Sequence, residues 1–438
     1  MTSSPSAATA EPASGAWSLH RVSVAAAWRG VLLRAASIWL ATRVGLAVFT
    51  YVTLILNNPS TRNGTAERPI QFGGSVHPAD LMRAWIQYDS GWFLGIAQNG
   101  YTTAPTTSFF PLYPLLIRLT AALLGGVGAS AGQVVAHRFE LAGLLVSNAA
   151  ALLAFVGVAL LAVHETRSHR TAWRTLAIMA AYPFAFFLAA AYSDALFLAG
   201  AAFTLFFARR GQWLPAAAAA YLASTTRATG AILVLPLLWE YARQHGWLSA
   251  AAWRARTGRF RPLLGEVALG LLVVGSVPLG IATYLAYLWY RFGNPLILLA
   301  GQKEGWTRQM APPWQTAQIM ASHLSAQPAL GYWQMMLLLD VVLLLSFVVL
   351  TLVLAFKLPA SFTLYMVGLL YFCISSPALQ WVDPISGTVR FLTAAIPVFL
   401  GLAVALERRP GLELLAVGGG FLLQGGITTF YLTGGWLA

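Results

Sequence analysis

FFPLYPLLIRLTAALLGG, residues 109–126, is the stretch on which the topology of this chain turns. It is apolar enough to be counted as a membrane helix, yet it contains Pro111 and Pro114 and carries Arg118 near its middle. Proline removes a helix donor and clashes with the preceding turn, and a charge at the bilayer centre costs roughly 2.5–3.5 kcal/mol even on lenient insertion scales. The surrounding charges decide between the two readings. Arg21, Arg29 and Arg34; Arg167, Arg170 and Arg174; Arg209 and Arg210; Arg243, Arg254, Arg256, Arg259 and Arg261; Lys357; and Arg408 and Arg409 lie between apolar stretches. They share one side of the membrane only if 109–126 does not cross it. The stretch therefore reads as an interfacial helix, and the arginine-rich side as cytoplasmic.

Working outward, the composition requires a membrane. Of 438 residues, 58% are hydrophobic and 9% charged, and the mean hydropathy is +0.68. These values lie outside the range of soluble domains, and apolar stretches recur along the whole chain. The pattern predicts an all-α polytopic fold of about 11 transmembrane helices, at 33–57, 138–163, 173–191, 195–208, 213–226, 228–242, 263–290, 336–356, 358–376, 390–406 and 411–433. Residues 1–32 read as a disordered cytoplasmic tail without a secretory signal, and 33–438 as one integral-membrane domain. Within it, 58–137 is the first extracytoplasmic loop, followed by turns near 192–194 and 225–228 and loops at 291–335 and 377–389.

The formal charge of +13 does not indicate nucleic acid, because no basic face alternates with aromatic residues. Cys373 is the only cysteine, so no intrachain disulfide and no cysteine metal cluster forms. His164 and His169 lack further ligands, and no metal site is expected there. The sequon at Asn63 is too common to inform localisation. Gly418, Gly419, Gly420, Gly434 and Gly435 suit close helix packing better than phosphate binding.

The chain has 14 acidic residues, and one of them, Asp89, stands in WIQYDSGWFLGIAQNGY, residues 85–101. A helix over 85–96 would place Trp85, Trp92 and Ile96 within about 20° of one direction, with Tyr88 on one flank and Asp89 about 40° away on the other. Gln87, Leu94 and Gln98 would share the opposite side. An acid near a helix start is also favoured by the helix dipole. The functional alternative is a carboxylate facing a cavity at the membrane surface, where it takes a proton from a hydroxyl while Tyr88 and Trp92 line the site and exclude water.

Asp194 opens a helix in YSDALF, either as part of an ordinary cap or as a group holding the acceptor or a cationic partner, together with Tyr192. Arg227 and Arg390 sit at extracytoplasmic helix ends, against the charge trend. They either snorkel to the interface or bind a lipid phosphate, which the guanidinium matches in geometry. Arg43 and Asp340 fall inside apolar stretches, as intramembrane partners or as boundary residues.

YDSGWFLGIAQNGY (88–101) followed by SFFPLYPLL (108–116) resembles the first-loop signature of the phosphatidylinositol-glycan class V mannosyltransferase family. YPFAFFLAAAYSDALFLAG (182–200), TTRATG (225–230) and TVRFLTAAIPVF (388–399) resemble later family segments, in the same order. Tyr88 stands where the family has Trp, and Asp194 where Glu is usual.

The resemblance implies a glycosyltransferase C superfamily fold with juxtamembrane helices in the first loop. It also implies a polyprenyl-phosphate-mannose donor, a lipid or glycan acceptor, Asp89 as the catalytic acid of that loop, and no metal or other cofactor. Asp194, Arg227, Arg390, Tyr88, Trp92 and Tyr192 would bind substrate, and the surroundings would be membrane lipid. The Ala- and Arg-rich composition and short loops suggest a bacterial relative, placed in the cytoplasmic membrane with its site on the extracytoplasmic face. A glycosyltransferase of the same superfamily using another hexose, and a transporter or flippase for a lipid-linked sugar, are the competing readings. A transporter would show related halves and ionisable groups at mid-membrane, whereas the notable acids and arginines gather at one face.

Overall fold

The computed structural model describes residues 15–57, 76–125, 133–249, 260–325 and 331–435. Among them there is no β-strand, and one isolated bridge joins Arg308 to Ala378. The protein is an all-α integral membrane protein. Five helices are long and apolar enough to cross a bilayer: α1 (Gly15–Asn57), α5 (Gln133–Thr166), α10 (Phe260–Phe292), α13 (Tyr332–Leu354) and α16 (Pro410–Leu432). The expected start of α1 at 33 falls inside the helix, while residues 1–14 and the sequon at Asn63 lie outside the described residues.

The other six expected spans are shorter than a bilayer. They are α6 (His169–Ala180), α7 (Asp194–Arg209), α8 (Trp213–Thr226), α9 (Val234–Gln244), α14 (Ala360–Ile374) and α15 (Ile396–Ala405). At 1.5 Å per residue the longest of these, α7, reaches about 24 Å. Three expected boundaries need correction. The stretch 173–191 is not one helix: α6 stops at Ala180 and irregular backbone with a 3-10 turn over Ala185–Leu188 leads to Asp194. Pro183 explains the stop, since it has no N–H to give and restricts Tyr182 away from helical geometry. The stretches 228–242 and 390–406 likewise open as 3-10 turns, Ala228–Leu233 and Val389–Ala394, before α9 and α15.

Irregular backbone at membrane depth is tolerated where protein buries it, and every residue from 181 to 195 is buried. Around this break α7 packs against α5, α8 and α9. Small residues allow the approach: a side chain on Gly200 would collide with Ala223 on α8. The helices α1 and α16 instead present Leu40, Val44, Val48, Leu414, Leu415 and Leu422 outward, as a lipid-facing surface requires.

The topology-deciding stretch forms α4 (Leu112–Leu123), twelve residues and too short to span. Its Arg118 bonds back to the protein backbone. Nη1 donates to the carbonyls of Ala97 and Gln98, both at 3.1 Å, and so closes the C-terminal end of α3 (Asp89–Asn99). Two further short helices, α11 (Ile297–Trp306) and α12 (Pro313–Ser325), cover the same end of the bundle.

Candidate active site

The expected helix over 85–96 does not exist. A short helix, α2 (Pro78–Arg83), ends before it, residues 84–88 turn, and α3 begins at Asp89. Tyr88 adopts φ 52°, a region that a residue with a side chain rarely enters. The surroundings hold that turn: the Tyr192 hydroxyl donates to the Gln87 carbonyl at 3.0 Å, and the Ala191 N–H to the Trp85 carbonyl at 3.2 Å. The aromatic-face projection therefore fails, because Trp85 and Asp89 are not on one helix. Leu94, projected to the opposite side, is buried, and Trp92 is 38% exposed.

What surrounds Asp89 is cationic. Its Oδ2 lies 2.7 Å from Nη2 of Arg390, at the start of the 3-10 turn that precedes α15. Beside this pair, Asp194 Oδ2 at the first turn of α7 lies 2.6 Å from Nη1 of Arg227, where α8 ends. Arg390 Nε is 4.0 Å from Asp194 Oδ1, which joins the two pairs into one quartet. All four side chains are largely buried. Buried pairs repay their desolvation only when geometry and hydrogen bonds are good, yet Nε and Nη1 of Arg390 have no hydrogen-bond partner among the described residues.

Aromatic rings close the space. Arg390 lies 5.0 Å from the Tyr192 ring and 5.4 Å from those of Phe187 and Phe391, and Arg227 lies 4.2 Å from the Phe391 ring. Such stacking suits a planar guanidinium and excludes water.

Of the residues singled out in the sequence, the structure brings together Asp89, Asp194, Tyr192, Arg227 and Arg390. Tyr88 and Trp92 point elsewhere. The Tyr88 hydroxyl donates to the carbonyl of Gly435 and its ring meets Tyr431. Trp92 stacks on Phe109 and meets Trp306.

Sequence reasoning missed Arg308, which stands in a loop without a recognisable motif. It donates to the carbonyls of Ser376 and Ser386, so it pins the segment leading into Arg390. Burial, reinforced by Arg390, lowers its pKa to about 10. Its backbone bridge to Ala378 zips the same two loops together. Asp383, also missed, is buried in that segment near Asp340 and accepts from the N–H of Ile385. Burial pushes Asp383 up to about 6. Asp340, on α13, thus stands against a residue of this loop. Among the described residues, no three His, Cys, Asp or Glu side chains stand close enough to share a metal ion.

The chain has measurable relatives. It is 29% identical over 252 residues to GPI alpha-1,6-mannosyltransferase 2 of Mus musculus, an alignment covering 53% of this chain and 48% of that protein. The chain therefore spans about half the length of this curated relative. Among solved structures it is similar to the archaeal oligosaccharyltransferase AglB from Archaeoglobus fulgidus in complex with an inhibitory peptide and a dolichol-phosphate. That likeness has a TM-score of 0.41 at 14% identity and covers 89% of this chain and 56% of that one. The apo form of the Archaeoglobus fulgidus enzyme gives a TM-score of 0.39 at 14% identity, with coverage of 91% and 56%. The Mannosyltransferase (PIG-V) family model matches residues 53–338, which include Asp89, Asp194, Arg227 and Arg308. With about two thirds of its length so matched, the chain belongs to the Mannosyltransferase (PIG-V) family.

Proposed function

We propose that the protein is an inverting mannosyltransferase that moves mannose from a polyprenyl-phosphate-mannose donor to a lipid or glycan acceptor, on the extracytoplasmic face of a bacterial cytoplasmic membrane. The observation that carries this reading is the Asp89–Arg390 pair. It sets a carboxylate beside a buried cation that still has two donor nitrogens to offer, within one aromatic-lined site.

In this reading Asp89 takes the proton of the acceptor hydroxyl, whose oxygen forms the new bond to the anomeric carbon. The bond from that carbon to the phosphate oxygen breaks, and the electron pair leaves on the phosphate. A single displacement inverts the anomeric centre, so a β-linked donor yields an α-mannoside. Arg390 and Arg227 receive the charge of the departing lipid phosphate through guanidinium N–H groups, as charge-assisted hydrogen bonds require. Asp194 holds Arg227 and orients the acceptor, and the rings of Tyr192, Phe187 and Phe391 keep out water that would hydrolyse the donor. Tyr88 and Trp92 act at the rim, shaping the turn before Asp89 and the approach past Trp306.

Transfer of radiolabelled mannose from the lipid donor by purified Asp89→Asn protein tests the assignment. Loss of transfer with retained folding is expected, and full transfer would remove Asp89 as the base.

A further inference from the structure

Arg43 stands midway along the Arg29–Leu56 span of α1, where a charge is costly, and no carboxylate is within ion-pair reach of it among the described residues. Its partners are the carbonyl of Leu188, 3.3 Å from Nη2, and the Trp39 ring. Gln424 is buried within α16, eight residues before its end. Its Nε2 donates to the carbonyls of Ala180 at 3.0 Å and Tyr182 at 2.8 Å. Both side chains line one narrow cleft together with Thr42, Ala180 and Leu188.

These carbonyls belong to the break between α6 and α7. Ala180 ends α6 and Leu188 ends the 3-10 turn, so each would otherwise be an orphan acceptor at membrane depth. The Gln424 amide thereby closes the C-terminal end of α6. From the other flank, α5 supplies Asn148 to the Ala189 carbonyl and Ser147 to that of Tyr192. The break is thus clamped from three helices. Gly420 makes the α16 side possible, since any side chain there would strike the backbone of Ala181.

The clamped segment reaches Arg390 twice. Tyr182, whose carbonyl Gln424 holds, donates its hydroxyl to the carbonyl of Val389 at 2.8 Å, one residue before Arg390. Phe187, next to the Leu188 that Arg43 holds, lies under the Arg390 guanidinium, and so does Tyr192. We infer that Arg43 and Gln424 are positioning residues: from the two lipid-facing helices they hold the α6–α7 break in the shape that sets Arg390 against Asp89. The inference rests on the proposed transfer reaction for its assay and goes beyond it, because neither residue touches the quartet.

A double-mutant cycle separates positioning from a general packing role. Arg43→Met, Arg43→Lys and Gln424→Met are each measured in the wild-type and Arg390→Lys backgrounds, with mannosyl transfer resolved into kcat and KM and folding checked by monodispersity in detergent. If the inference holds, Arg43→Met and Gln424→Met each lower kcat/KM by about tenfold or more in the wild-type background. In the Arg390→Lys background, where the group they position is already altered, the same changes cost less than about threefold. Arg43→Lys, which keeps the charge, recovers most of the loss. Equal losses in both backgrounds, or wild-type activity of the folded variants, overturn the inference. Should Arg43→Met fail to fold, Gln424→Met alone carries the cycle, and additivity there is sufficient to overturn it. Asp89→Asn is assayed alongside: if that protein is inactive while the cycle is additive, only the positioning role fails.

Discussion

The guanidinium of Arg390 is 2.7 Å from the carboxylate of Asp89 although 301 positions separate them in the chain. Arg390→Met leaves a buried carboxylate without its cation. Breaking one partner of a buried pair destabilises by roughly 3–5 kcal/mol, so a lowered unfolding temperature in detergent is expected together with loss of transfer. Arg390→Lys restores the charge but not the forked geometry, so stability should largely return while kcat/KM stays at least about tenfold down. Equal activity of the Lys variant and wild type would contradict a guanidinium-specific role.

Asp194 and Arg227 make the companion pair at 2.6 Å. Asp194→Ala removes the partner of a buried arginine and should abolish transfer. Asp194→Glu keeps the carboxylate and should stay within about tenfold of wild type in kcat/KM. Initial rates at saturating and limiting donor distinguish these outcomes, and an inactive Glu variant with an active Ala variant would contradict the pairing.

At the opposite, basic end of the same helices, Glu240 on α9 accepts from Arg209 at 2.8 Å, Arg243 at 2.7 Å, Gln244 at 3.0 Å and Ser361 at 2.6 Å. Glu240 thus joins α7, α9 and α14, and Arg209, which also grips Glu165 through two nitrogens, ties α5 to the same network. Glu240→Ala is expected to cost roughly 3–5 kcal/mol of stability with no change in donor KM. Thermal unfolding beside steady-state kinetics checks this, and an altered KM at unchanged stability would show that the network serves the site.

Asp383 binds its proton more tightly in the folded protein than a free carboxyl does, its pKa moving from 3.8 to about 6 through burial. Between those values the folded state holds more protons than the unfolded one, so this group makes stability fall as pH rises from about 4 to 6. The groups facing it are Asp340, Arg308 and His323, whose ring is bonded to the Val382 carbonyl. Hydrogen exchange over 377–388 should accelerate across this pH window in the wild type beyond the intrinsic pH effect. Asp383→Asn, which keeps a hydrogen-bonding group without a charge, should remove that excess. An unchanged profile in the variant would mean another group governs the loop.

Local chemistry made part of this molecule legible. Hydropathy and the placement of arginines required a membrane fold, and the stretch with two prolines and Arg118 forms only the twelve-residue α4, because each of these effects acts within a few residues. Asp89, Asp194, Arg227 and Arg390 could be picked out because charges against the topological trend are rare in so apolar a chain. Tertiary structure decided the rest. Which acid meets which arginine depends on how α3, α7, α8 and the turn before α15 converge. Arg308 and Asp383 gained their places from loops zipped together across about 70 positions. The start of α3 at Asp89 rather than upstream, and the course of the backbone after the stop at Pro183, depend on partners elsewhere in the chain: Tyr192 bonds the first, and Arg43 and Gln424 bond the second. Hydropathy counts what each residue prefers as solvent. The pairing of buried polar groups is a property of the packed helices, because each unsatisfied donor or carbonyl at membrane depth must find its partner wherever the fold brings one.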